Sequence, residues 1–241
     1  FGAGAVLVLT SIDESGTFSS QRASHLFQDQ RLQEVVLDQL LQVMLEKGYL
    51  GLDVDFEYVN PEYADDYVSF AAQLRERTQE LGIPLIIALA PKTYADQPGI
   101  LYEGHNYRAL GEQADAVLLM TYEWGYSYGP PMAISPIRSM RTVIEYALKE
   151  IPAEKLLLGI PNYGYDWQIP YSQSRKAVSI SNQYAVSLAA RYYAAIRFDE
   201  SVQAPWFRYV DERGQEHEVW FEDARSIRAV SYTHLRAHET S

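Results

Sequence analysis

The sequence predicts an α/β fold: a parallel sheet wound with helices, followed by a smaller α+β segment. Three observations predict it. Short runs rich in Val, Ile and Leu recur from the start of the chain to about residue 163. Between them lie stretches with apolar residues at helical spacing, and that alternation is the signature of βαβ units. Beyond residue 163 the rhythm breaks into sequence rich in Pro, Ser, Gln and aromatics.

Taken in order, strands are predicted over residues 5–10, 51–57, 85–90, 116–121 and 156–163. Helices are predicted over 29–47, 62–81, 107–113 and 137–150. In the first helix Leu32, Val35, Val36, Gln39, Leu40, Val43 and Met44 follow the i, i+3, i+4, i+7 rule and are expected to face the core. Tyr63, Tyr67, Phe70, Leu74 and Leu81 do the same in the second, and Pro61 sits where a helix start tolerates it. Residues 166–218 read as an α+β insertion. It holds an Ala- and Tyr-rich segment (181–196), a strand (206–210), a turn at Asp211-Glu212-Arg213-Gly214 and a return strand (217–221). Asp223 is a suitable N-cap where the α/β rhythm resumes.

The domains that follow are a partial barrel (1–165), the insertion (166–218), a return to the barrel (219–229) and a tail (230–241). The tail has no clean helical period. It resembles translated adapter read-through more than native sequence, so His234 and His238 carry no functional reading. A complete (β/α)8 TIM barrel takes about 250 residues before insertions. A chain of 241 residues with an insertion is therefore either a smaller open sheet or a TIM barrel lacking strands at both ends. A first residue that is Phe, with a strand-like run directly after it, favours the second. On that reading the chain exposes barrel edges and is expected to be poorly stable or inactive by itself.

Composition removes several function classes. There are 20 Lys+Arg against 32 Asp+Glu, for a net charge of −12. That disfavours nucleic acid as a partner, because phosphate contacts need clustered cations. No cysteine is present, which excludes disulfides, thiolate zinc sites and a cysteine nucleophile. No apolar run is long enough for a membrane span. The 19 Tyr and 4 Trp suit a sugar-binding cleft, or simply ordinary packing.

The chemistry concentrates in Gly51-Leu52-Asp53-Val54-Asp55-Phe56-Glu57-Tyr58. Side chains alternate faces along a strand, so Asp53, Asp55 and Glu57 share one face and Leu52, Val54 and Phe56 the other. Successive carboxylates lie roughly 7 Å apart there, and repulsion with burial pushes their pKa values up. A carboxyl that holds its proton near neutral pH is what a general acid needs. Glu57 comes last, at the strand end where barrel active sites lie. A D-x-D pair can also chelate a metal, but oxygen-ligand motifs sit on loops with Gly turns, whereas this run is apolar and strand-like. A structural role is the third reading, and acid/base chemistry is favoured. No metal and no cofactor are expected. His25, His105 and His217 lack metal-ligand spacing and read as surface residues, and Lys92 as a solvated lysine.

This run resembles the D-G-x-D-x-D-x-E signature of family 18 glycoside hydrolases, the chitinases and endo-N-acetylglucosaminidases. Met120-Thr121-Tyr122-Glu123 resembles their M-x-Y-D on the sixth strand. Leu157-Leu158-Gly159-Ile160-Pro161-Asn162-Tyr163-Gly164 resembles their L-G-I-P-x-Y-G on the seventh, after which the family carries its α+β insertion. The segments 55–59, 122–125 and 162–167 are most similar to the spore-germination, cortex-lytic N-acetylglucosaminidase branch. The similarity covers residues 5–229, and implies that barrel strands three to seven are present.

The resemblance implies retaining, substrate-assisted hydrolysis beside N-acetylglucosamine, in spore-cortex peptidoglycan. Glu57 would be the acid, and Asp55 would orient the acetamido N–H. Asp53 would share a proton with Asp55, and Tyr122 would bond the acetamido oxygen. Glu123, Trp124, Tyr163, Tyr165 and Trp167 are candidate substrate contacts, with packing as the alternative for the aromatics. The family's first signature Asp is Leu50 here, the Asp of M-x-Y-D is Glu123, and S-x-G-G of the third strand is Thr10-Ser11-Ile12-Asp13. A non-catalytic lectin of the same fold, and a chitinase acting on chitin oligomers, are the alternatives. The implied protein is a monomer, located outside the cell or in the spore or cell wall.

Overall fold

The structure, a computed structural model, describes residues 4–239. It divides into two compact units. One holds the chain up to Met120 together with 145–158, and the other holds 121–144 together with the chain from Gly159 onward.

The first unit is a parallel sheet of β1 (Val6–Thr10), β2 (Gly51–Asp55), β3 (Leu85–Leu89), β4 (Ala116–Leu119) and β5 (Leu156–Leu158). The strands lie in the order β1-β2-β3-β4-β5, each beside its neighbour in sequence. That is the winding of a (β/α) barrel; a doubly wound sheet reverses its order. Between the strands run α1 (Ser20–Gln28), α2 (Gln30–Lys47), α3 (Ala64–Glu80), α4 (Tyr107–Gln113) and the C-terminal end of α5 (Ile137–Glu150). Asp29 ends α1 and caps α2, its Oδ1 accepting from Leu32 N at 3.0 Å. Leu52, Val54 and Phe56 are buried, as are Tyr67, Phe70 and Leu74 of α3, and the Phe56 ring lies 5.7 Å from that of Tyr67 and 6.2 Å from that of Phe70. Phe27 of α1 closes this core, edge-on to Phe56 at 5.3 Å and stacked on Tyr67 at 5.1 Å. Each such side chain contributes about 1.5–3 kcal/mol by leaving water.

α2 turns a different face inward from the expected one. Gln33, Leu37, Leu41 and Met44 are buried, while Leu32, Val35 and Val43 are exposed. The cause is Gln33, whose amide donates to Leu26 O at 2.9 Å and Phe27 O at 2.8 Å. Those carbonyls at the end of α1 have no helical partner, so a polar residue takes a core position. The expected 156–163 strand also splits. β5 stops at Leu158, and Tyr163 opens a strand of the other sheet, with Pro161 between them.

The second unit is antiparallel. It contains β6 (Tyr163–Ile169), β7 (Val178–Ser181), α6 (Asn182–Arg191), β8 (Arg197–Asp199), β9 (Ala204–Val210), β10 (Glu216–Trp220) and α7 (Ala224–Glu239), with sheet order β7-β6-β10-β9-β8. One face packs on α6 through Ile180, Leu188, Phe207, Val219 and Phe221. The other buries Tyr165, Trp167 and Trp220 against Ala133 and Ile134. Val219 and Trp220, expected in the return to the barrel, belong to β10. Residues 230–239, expected to lack helical order, continue α7, and residues 240–241 lie outside the described residues.

Candidate active site

In the first unit the alternation along β2 holds. Leu52 and Val54 are fully buried, and Asp53 and Asp55 on the opposite face are half-buried. Asp55 is the last strand residue, so half-buried Glu57 sits two residues past the strand end. Asp53 lies opposite Val8 of β1, and Asp55 opposite Thr10.

Burial, and then the charge of Asp55, pushes the Asp53 carboxyl up to about 6. Burial raises Asp55 as well. Asp53 Oδ1 and Asp55 Oδ1 are each buried with no hydrogen-bond partner among the described residues. Tyr67 borders the pair: burial, then the charges of Asp55 and Asp53, pushes its phenol up, and its hydroxyl is also unbonded. By sequence Tyr67 is only a helix-core residue, because period analysis cannot tell which core residue reaches a carboxylate.

Two residues expected at the surface are instead buried here. His105 is completely buried, with Nδ1 accepting from Ala90 N at 2.9 Å. Its Nε2 therefore carries the proton and donates to Phe56 O at 3.0 Å. Burial lowers its pKa to about 4. Lys92 is buried too, with Nζ donating to His105 O at 3.2 Å, and burial lowers its pKa. The missed signal is long range: ring and carbonyl are 49 residues apart. Beyond Glu57 the chain turns sharply. Tyr58 has φ of 55°, and Gly104 packs so closely that a Cβ there would lie 2.4 Å from Val59 O.

In the second unit Tyr122 is half-buried against the Tyr165–Trp167 cluster. Glu123 has φ of 65°, an unfavourable backbone for a non-glycine residue. Its carboxylate accepts from Tyr163 OH, and from Tyr165 OH at 3.0 and 3.2 Å. Three predicted site residues thus meet in one cluster, and the two tyrosines hold a carboxylate. Trp124 is half-buried, with its backbone N–H donating to Ile134 O at 3.1 Å. Gly125 N bonds Ala133 O at 3.0 Å, an approach that leaves no room for a Cβ. Trp167 corrects the expectation of a sugar platform: it is 1% exposed and its Nε1 donates to Gly129 O at 2.8 Å, so no ring face is open. His217 is buried rather than superficial, with Nδ1 2.8 Å from Asp166 Oδ1, whose other oxygen accepts from Tyr209 OH.

Among the described residues no group of three or more His, Asp or Glu is placed to hold a metal ion, and no helix is long and apolar enough to cross a membrane.

Comparison with known proteins points one way. The family described as "Glycosyl hydrolases family 18" matches residues 6–238. A cortical fragment-lytic enzyme of Bacillus subtilis is 44% identical over 225 residues, covering 93% of this chain and 52% of that protein. The crystal structure of the Bacillus megaterium spore cortex-lytic enzyme SleL matches with a TM-score of 0.91 at 42% identity, over 96% of this chain and 53% of that one. A chitinase from Chromobacterium violaceum matches with a TM-score of 0.84 at 28% identity, over 93% of this chain and 69% of that one. The chain spans about half the length of the first two relatives.

Proposed function

The chain belongs to glycosyl hydrolases family 18, and from that premise we propose that it hydrolyses β-1,4 glycosidic bonds beside N-acetylglucosamine in spore-cortex peptidoglycan. The reading that carries this is Asp53, Asp55 and Glu57 along one strand face and its end, with two carboxyls raised toward neutrality. It is supported by the likeness to the cortical fragment-lytic enzyme and to SleL.

The reaction is retaining and substrate-assisted. Glu57 protonates the glycosidic oxygen while the sugar's acetamido oxygen attacks the anomeric carbon, giving an oxazolinium ion. Asp55 orients the acetamido N–H and offsets its developing positive charge. Asp53, raised to about 6, shares a proton with Asp55, so the two titrate as a coupled set. Tyr122 holds the acetamido group in line for attack. Glu57 then accepts a proton from water as the oxazolinium opens. Glu123, held by Tyr163 and Tyr165, and Trp124 contact the sugar. The setting is the spore or cell wall. Chitin oligomers are a second substrate, favoured by the chitinase likeness.

The test is release of reducing sugar from cortex fragments and from chitin oligomers, with and without chelator. Glu57→Gln is expected to cut turnover by about 10²–10⁴-fold with the circular dichroism spectrum unchanged, and chelator to have no effect. Equal turnover by the Gln variant removes the assignment, and binding without turnover by the unmodified chain points to a lectin.

A further inference from the structure

We propose that the second unit carries an oxyanion-binding cleft at Arg138, Arg141, Arg225 and Arg228 that takes a phosphate or carboxylate group. The inference is independent of the glycosidase reading.

The cleft has a volume of about 480 Å³ and is lined from three elements: the first turns of α5, the turn between β8 and β9, and the first turns of α7. Arg225 is fixed in place. Its Nε and Nη2 bond Asp223 Oδ2 at 2.9 and 2.7 Å, and its guanidinium lies 4.4 Å over the Phe198 ring. Arg138, Arg141 and Arg228 make no ion pair among the described residues. The one carboxylate lining the cleft is Glu200, whose Oε2 is already bonded to Gln203 Nε2 at 3.0 Å. Asp199, close enough to Arg138 to feel its charge, uses its Oδ1 on Ser201 and Val202.

The chain has a net charge of −12. Elsewhere Arg22, Arg75, Arg77, Arg108, Arg191 and Arg208 each reach a carboxylate, while Arg31, Arg175, Arg197 and Arg213 make no ion pair among the described residues. Four arginines line the cleft, with the carboxylates of Asp199, Glu200 and Asp223 near them, which leaves a local excess of positive charge in an acidic chain.

The positions are also costly. Arg138 and Arg141, like Arg225 and Arg228, are three residues apart on one helix, a spacing at which like charges share a face and repel. Both pairs stand at helix starts, where the backbone presents its positive end; Asp223 already accepts from Arg225 N and Ser226 N at the start of α7, whereas α5 has no acidic residue in its first turn. An oxyanion between the two pairs offsets the repulsion within each and the positive end of α5. The planar guanidinium suits it, offering paired N–H donors to two oxygens at once.

The test is calorimetric titration of the 241-residue chain with inorganic pyrophosphate and, separately, with citrate, at low and raised salt. One-site binding that weakens with salt is expected, and R138Q/R141Q/R228Q should lower the affinity by about tenfold or more. R31Q, on α2 of the other unit, should bind as the unmodified chain does. Tighter pyrophosphate binding assigns the cleft to phosphate groups, and tighter citrate binding to carboxylates. If the triple variant does not fold, phenylglyoxal labelling of the unmodified chain decides: the bound anion should protect Arg141 and Arg228. No binding of either probe, equal affinity in the triple variant, or labelling without protection overturns the proposal.

Discussion

His105 holds the carbonyl of Phe56 from across the first unit, Nε2–H to O at 3.0 Å, one residue before the candidate acid. With Nδ1 occupied by Ala90 N–H, the ring ties the loop after β3 to the end of β2. His105→Ala leaves a buried donor and a buried acceptor unpaired, so a loss of about 1–3 kcal/mol is expected in a denaturant titration, plus a cavity cost. If the ring positions Glu57, kcat should fall with KM little changed, and the pH profile should shift. A pure stability loss would show His105 to be structural only.

The same histidine makes stability fall with acid. Its folded pKa of about 4 lies below the ordinary value near 6.5, so over that interval the unfolded chain binds the extra proton. The contribution is complete above about pH 6.5 and is lost as pH falls toward 4, to the extent of about 3 kcal/mol. His105→Gln should lose less stability than the unmodified chain between about pH 7 and 4.5, read from urea midpoints.

Asp53 works in the opposite sense. Its folded pKa of about 6 lies above the ordinary value, so ionisation opposes folding as pH rises through that range. Asp53→Asn is therefore expected to stabilise the chain at about pH 8 by roughly 1–3 kcal/mol, and to confer nothing near pH 4. It should also slow turnover by tenfold or more, on the order expected for a positioned proton partner. A variant with both higher stability and full activity would show that the Asp53 proton is not used.

Tyr165→Phe removes one of the two hydroxyls gripping Glu123. Because Tyr163 remains, a stability cost of about 1 kcal/mol is expected. KM should rise more than kcat falls if Glu123 contacts the sugar. An effect confined to melting temperature would leave Glu123 a structural anchor.

Trp167→Phe keeps the ring packing and removes the bond to Gly129 O. It should cost about 1–2 kcal/mol in stability and leave substrate affinity unchanged in the folded protein. A large rise in KM would mean that the indole reaches substrate after all.

What sequence could disclose followed from periodicity. The five parallel strands and the alternation that places Asp53 and Asp55 opposite Leu52 and Val54 are properties of successive residues. Its failures came from partners distant in sequence. Gln33 is polar, yet it defines the inward face of α2 because two carbonyls of α1 need its amide. His105, Lys92 and His217 carry no local sign of burial, since what makes burial tolerable is Phe56 O, His105 O and Asp166. The grip of Tyr163 and Tyr165 on Glu123 was equally invisible, although all three were singled out as candidates.

The two sheets impose different timetables on a chain emerging from the ribosome. Each strand of the parallel sheet finds its neighbour as soon as the next βα unit is made. β6 instead waits, with one side unpaired, until β7, α6, β8, β9 and finally β10 have been synthesised. Such a strand is a template for premature association. The nascent antiparallel half is thus where chaperone demand and misfolding during overexpression should concentrate.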